Sequence, residues 1–341
     1  MKKLPIYALI LLGISISLLY DRKIANLPEV SNPDYIVMDN IQLLIADTTK
    51  QLHVYSTKNF KYERQLLKRG EGPGEALGTA FVWTSPNYIY LYCLGKNLFF
   101  ARDGKFIKEF RTPSNRTTYV RPVDDKFICL NRKINDKTSG SLYDISLYSY
   151  SPPNDMKFEK LLYCYEIPKI TTKGNKKPFR TIIDRRDVII FENRIFIGDS
   201  ERGLFVQVHD LNGNRLYQIR LDSEKIKVPQ DYGKDLKKET GDNPKWNWFN
   251  NEYYYNQPEY FPGFYGFFIG KNKIYFLTYK KVDNNREVII CDWNGKSVRK
   301  KYIPWIDFQL YRIYTIWNDK FYWLVENEDI EEWELHESEL K

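Results

Sequence analysis

Histidine and cysteine are scarce in this chain, with three His and four Cys among 341 residues. Cys93, Cys129, Cys164 and Cys291 stand singly, with no CxxC and no Cys/His pair at metal-ligand spacing, which excludes a zinc-finger-type centre. The sequence also lacks HExxH, GxSxG and the Lys-Ser/Thr that completes a phosphate-binding loop. No basic helix is present, and the net charge is a modest +8, of which Lys2, Lys3, Arg22 and Lys23 against Asp21 supply a net three. Nucleic acid is therefore not expected as a partner. No cofactor and no metal are expected from these patterns, and no catalytic residue is assigned.

What the chain does have is aromatic residues, at 16% with 27 Tyr and 20 Phe, and these favour strands. It also has a repeat. A tight polar pair precedes a short apolar strand six times: Asp39-Asn40, Pro86-Asn87, Asp124-Asp125, Glu192-Asn193, Lys271-Asn272 and Asn318-Asp319. A second marker follows in Asp103-Gly104, Asn212-Gly213 and Asn294-Gly295, each between two strand-like runs, and such dipeptides are hairpin signals. Lys58-Asn59 and Pro152 to Asp155 play that part in the first and third modules. Each module thus holds four strands, a to d. The pattern predicts an all-β, six-bladed β-propeller of four-stranded antiparallel blades over residues 24–341. A β-sandwich does not account for the four-strand modules. The sixth module ends one strand short, and Ile24 to Val30 are predicted to supply its strand d and close the ring.

Residues 1–23 read as an export signal. Lys2-Lys3 precede an uncharged run from Leu4 to Tyr20, followed by Asp21-Arg22-Lys23. The run is long for a cleaved signal and just long enough to span, so an uncleaved signal-anchor helix is expected, with a cleaved signal as the alternative. Basic residues before the run keep that end cytoplasmic and place the body in the periplasm or cell envelope. The four cysteines, each in a strand-like run, are expected as small buried hydrophobes, although export permits disulfides.

The segment Arg69-Gly70-Glu71-Gly72-Pro73-Gly74-Glu75 resembles the GxGPGE stretch of the six-bladed β-propeller proteins common in Bacteroidota, which are similar to NHL-type propellers. The resemblance covers residues 34 to 336. It implies the propeller fold and an exported protein, and it lends no catalytic residues. The chain departs from the lipoprotein members in having no Cys at the end of the apolar run.

Strand alternation places the a–b and c–d turns on one face and the b–c and d–a loops on the other. The short turns fall on the first face. The long segments, including 68–79, 168–187 and 222–262, fall on the second, and long loops on a rigid scaffold concentrate binding residues. Three candidate sites follow. Trp246, Trp248, Tyr253, Tyr254 and Tyr255 in the largest insertion suit stacking on sugar or gripping peptide; the competing reading is that they cover the insertion's own core. Lys176, Lys177 and Arg180 in the 168–187 loop suit an anionic partner; the competing reading is a solvated loop. The GPGE loop reads as a structural clasp beside the channel, with Arg69 and Glu75 reaching outward. The expected function is an exported, membrane-tethered propeller that binds a protein, peptide or glycan through its long-loop face. A metal-dependent hydrolase or lyase in the channel and a structural part of an envelope assembly are the alternatives.

Overall fold

The computed structural model describes residues 22–340 apart from 50, 78–79, 94–95, 112–116, 124, 135–140, 152–154, 168–176, 180–181, 183, 231, 233–252, 256 and 307–312. Six four-stranded antiparallel sheets follow one another around a ring, and the fold is a six-bladed β-propeller. Blade one is Pro33–Met38, Gln42–Asp47, Leu52–Ser56 and Tyr62–Gln65. Blade two is Ala80–Thr84, Tyr88–Cys93, Lys96–Ala101 and Phe106–Arg111. Blade three is Thr117–Val123, Lys126–Ile134, Ser141–Ser151 and Asp155–Ile167. Blade four is Arg186–Phe191, Arg194–Asp199, Leu204–Asp210 and Arg215–Leu221. Blade five is Gly266–Gly270, Lys273–Val282, Asn285–Asp292 and Arg299–Pro304.

Blade six is Tyr314–Trp317, Lys320–Asn327 and Glu332–Glu339, completed by Arg22–Leu27 from the other end of the chain. The closing strand runs antiparallel to Glu332–Glu339, from Arg22 opposite Glu337 to Leu27 opposite Trp333. It starts two residues earlier than the sequence suggests and ends earlier too, with Val30 N–H donating back to the Leu27 carbonyl in a turn. The reason is electrostatic. Arg22 and Lys23 lie 2.6 and 2.7 Å from Glu337 and Glu334, so the charges after the apolar run belong to the blade. In the acidic C-terminal strand, Glu334 and Glu337 are accordingly both buried. The expected N-terminal apolar helix, residues 4–20, lies outside the described residues. Among the described residues, no helix is long and apolar enough to cross a membrane.

The core is divided among the gaps between blades. One apolar cluster joins Leu44, Leu52 and Val54 of blade one to Val82, Leu91 and Leu98 of blade two. Four more continue the series between successive blades. The sixth joins Leu27, Leu324 and Leu335 of blade six to Met38, Leu43 and Ile45 of blade one, completing the circle. Each inner strand is therefore covered on both faces. Leu43 and Ile45 pack towards blade six while Leu44 and Ala46 pack towards blade two. This explains why the b strands read as unbroken apolar runs rather than alternating ones.

Apart from Asp124-Asp125, whose first residue lies outside the described residues, the repeated polar pairs are the a–b turns. Glu192, Asn193, Asn272, Asn318 and Asp319 all adopt positive φ there, as a two-residue turn requires. Several also staple neighbouring blades. Asp39 pairs with Arg102 of blade two at 2.7 Å, and Asp319 accepts from Lys273 of blade five at 2.6 Å and from the Tyr275 hydroxyl. Burial raises the Asp319 carboxyl pKa, but the hydrogen bonds from Lys273 and Tyr275 outweigh it and hold the carboxyl below its ordinary range.

Candidate functional site

The two longest d–a connections flank blade four, one entering it and one leaving it. The structure joins them. Lys177–Phe179 from the first pairs in parallel with Tyr253–Tyr255 from the second, Lys177 opposite Tyr253 and Phe179 opposite Tyr255. The basic loop and the aromatic insertion, separate candidates in the sequence, therefore meet in one two-stranded sheet. Trp246, Trp248, Lys176 and Arg180 lie outside the described residues.

The base of the aromatic insertion is a second small ladder. Val228 N–H donates to the Glu259 carbonyl at 2.9 Å, Phe261 N–H donates to the Ile226 carbonyl at 2.9 Å, and Lys227 bridges to Tyr260. Phe261 stacks on Tyr279 of blade five, with ring centroids 4.4 Å apart, and Tyr232 meets it edge-on at 5.0 Å. The phenol of Tyr279 is buried, and burial raises its pKa well above the usual range. The insertion is also locked to the b–c connection of blade four, a single 3-10 turn over Ser200–Arg202 that Asp199 caps through Glu201 N–H. Gly263 N–H donates to the Ser200 carbonyl at 2.8 Å. A Cβ on Gly263 would fall 2.2 Å from the Gly203 backbone, so glycine is required by this close approach.

Between these elements and blade five lies a groove of about 660 Å3 on the long-loop face. Two of its lysines are paired, Lys280 with Glu224 at 2.7 Å and Lys300 with Glu287 at 3.1 Å. Three other cations rest on rings: Arg202 at 3.7 Å and Arg220 at 5.7 Å from the Phe205 centroid, and Lys225 at 5.7 Å from Tyr260. Basic groups backed by aromatic faces, with Tyr260 itself exposed, make a surface able to meet acidic or ring-bearing groups.

The GPGE loop is turned in on itself. The Glu75 carboxylate accepts from Gly72 N–H at 3.0 Å, and a Cβ on Gly70 would fall 2.1 Å from it. Lys96 donates to the carbonyls of Gly72 and Glu75 at 2.8 and 3.0 Å and pairs with Glu109 at 3.0 Å, while Glu109 accepts from Gly74 N–H. The loop's amides thus hold the protein's own carboxylates. Glu75 does not reach outward as the sequence suggests. The loop rests on strands c and d of blade two rather than lining the channel, and Arg69 is exposed.

His53 and His209, at corresponding places in strand c of blades one and four, are both 3% exposed. His53 pairs with Asp47 at 3.0 Å, and His209 meets Gln207 at 2.7 Å and the Gly213 carbonyl at 3.2 Å. Burial pushes the His209 pKa down. Both are packing residues. Cys93, Cys129 and Cys291 are buried and free as expected, whereas Cys164 is exposed on the outer strand of blade three. Among the described residues, no group of three or more His, Cys, Asp or Glu could hold a metal ion.

No family model matches the chain, and no curated protein matches it in sequence. Solved structures do match. A Bacteroides fragilis protein provisionally described as exported is similar with a TM-score of 0.53 and 15% identity over 94% of both chains. At this identity the likeness concerns the fold alone. The computationally designed Ika8 protein matches at TM-score 0.44 and 6% identity, over 93% of this chain and 99% of its own. The β-propeller domain of Cps50 (Swd1) from Myceliophteria thermophila matches at 0.43 and 10%, over 93% of this chain and 99% of its own.

Proposed function

We propose that this chain is an exported, membrane-tethered β-propeller that binds a protein, peptide or glycan of the cell envelope through its long-loop face. One observation carries the reading: the two longest insertions, one basic and one aromatic, share the sheet of Lys177–Phe179 and Tyr253–Tyr255. Two connections of such length that pair with each other form one surface, and both also contribute to the cation-lined groove, through Ile182 and Asp184 of the first and Pro258, Tyr260 and Phe261 of the second. The other face has short turns whose polar groups are spent on blade-to-blade pairs such as Arg102–Asp39 and Lys273–Asp319. The tether follows from strand direction. Arg22 lies opposite Glu337, at the short-turn end of blade six. A signal-anchor at residues 4–20 then attaches to the short-turn face, and the long-loop face points away from the membrane. The described export of the Bacteroides fragilis neighbour agrees with that compartment.

The test is a screen of envelope glycans and peptide arrays against the tethered protein, followed by titration of each binder. A binder of the proposed kind loses at least about tenfold in affinity in a Lys177→Glu, Tyr254→Ala double variant and is unaffected by Lys58→Glu on the short-turn face. Binders that respond only to Lys58→Glu overturn the reading.

A further inference from the structure

The central channel encloses about 930 Å3 and is lined by the a strand of every blade. That volume lies in the range of small-molecule sites, which are mostly apolar with a few placed polar groups. The walls fit this description. Val37, Phe81, Ile189, Phe268 and Ile316 all line it, and Tyr35 and Phe81 meet edge-on at 6.3 Å. Phe81 is 44% exposed, a large apolar ring open to the channel without being spent on the core.

Into this apolar setting strand a of blade three brings Arg121. The side chain is held by both neighbouring blades: one Nη donates to the Val188 carbonyl of blade four, and the guanidinium lies 5.4 Å from the ring centroid of Trp83 in blade two. Among the described residues it has no carboxylate partner. A guanidinium carries five N–H donors in a planar fork, and the Val188 carbonyl occupies one of them. The acidic groups that reach the channel lie elsewhere. Asp39 is paired with Arg102, Glu192 is at an exposed tight turn, and Asp187 precedes Val188 towards the long-loop end.

We infer that the channel is a binding site, separate from the long-loop face, for a small apolar-bodied carboxylate, with its acid group on the Arg121 fork and its body against the aromatic wall. The fixed fork matches a carboxylate bidentately. The side chains of Val37, Ile189, Phe268 and Ile316 offer no hydrogen bonds to the hydroxyls of a sugar, which sets the apolar body ahead of a glycan. The inference does not depend on the reading of the insertion sheet, since it is argued from the a strands alone, with Arg121, Trp83 and Val188 as its polar anchor.

The experiment is calorimetric titration of the full chain in lipid nanodiscs with 4-phenylbutyrate and with its neutral amide, blanked against empty nanodiscs. The expected result is one site per chain with the acid bound at least about tenfold more tightly than the amide, the effect of a charge-assisted hydrogen bond. Arg121→Gln should abolish that preference, leaving acid and amide bound within about twofold of each other. Absence of binding, equal affinity for acid and amide, or tighter binding of a glucuronate disaccharide than of phenylbutyrate overturns the inference. The acid-against-amide comparison uses the unaltered chain, so it decides even where Arg121→Gln does not fold. Loss of phenylbutyrate binding in the Lys177→Glu, Tyr254→Ala variant would place the site on the long-loop face and contradict the channel.

Discussion

Replacing Leu27 by Ala probes ring closure. Leu27 is fully buried among Leu324, Leu335, Met38 and Leu43, although it is separated from the first two by nearly the whole chain. Removing three buried methyl or methylene groups costs about 2.4 kcal/mol at about 0.8 kcal/mol each, and the residual cavity raises this to about 3 kcal/mol. With about 2.1 cal/mol/K of unfolding entropy per residue, a ring of this size has about 0.7 kcal/mol/K, so Tm should fall by about 4 °C. Differential scanning calorimetry reads this directly. Ile107→Ala, on the outer strand of blade two and 52% exposed, is the control and should shift Tm by less than about 1 °C. A Leu27→Ala variant that melts within 1 °C of the parent refutes closure by this strand.

Three further outcomes follow from other contacts. Gly263→Ala forces a Cβ to 2.2 Å from the Gly203 backbone, and it should cost about 1–3 kcal/mol in a urea melt as the insertion base is pushed off blade four. Glu334 has its pKa lowered from 4.5 to about 2, first by the Asn327 hydrogen bond and then by Lys23 and His336. Its folded pKa lies below the unfolded one, so its contribution is fully present above pH 4.5 and is lost as pH falls towards 2. Glu334→Gln should flatten the pH dependence of Tm in that window, and an unchanged slope would contradict the assignment. Cys164 should be the one thiol among the four to react with a disulfide reagent in the native state. Its reaction should quicken as pH rises towards 11, because burial and then Asp144 push its pKa up to about 11.

The fold was legible because two physical signals repeat. Strands covered by blades on both sides must be apolar throughout, so Leu43-Leu44-Ile45 and Ile195-Phe196-Ile197 stand out, and turns needing positive φ select Asn, Asp and Gly. The closing strand was legible by subtraction, from a blade one strand short. Its limits were not, because Arg22 and Lys23 resemble the flank of an apolar run until Glu337 and Glu334 are seen opposite them. The candidate site was only partly legible. The two insertions announced themselves by length, but no pattern in Lys177–Phe179 indicates a partner as distant as Tyr253–Tyr255. No sequence pattern singles out Arg121, since its distinction lies in Trp83 and Val188 on neighbouring blades. Glu75 was misread because a glycine-rich loop suggests open amides, whereas here its own carboxylate takes one of them. Cys164 departs from the other three because it lies on the outermost strand of its blade, whereas Cys93, Cys129 and Cys291 lie on b and c strands nearer the axis.

The pairing of the two insertions carries the proposed function, and disulfide trapping tests it without any ligand. In a Cys164→Ser background, Lys177→Cys and Tyr253→Cys introduce thiols at facing positions of adjacent strands, within the Cα separation that a disulfide bridges. Mild oxidation should cross-link them within one chain, while Lys58→Cys with Tyr253→Cys, on opposite faces of the disc, should not. If the facing pair stays reduced, or links only between molecules, the insertions do not form one surface and the binding face must be sought elsewhere.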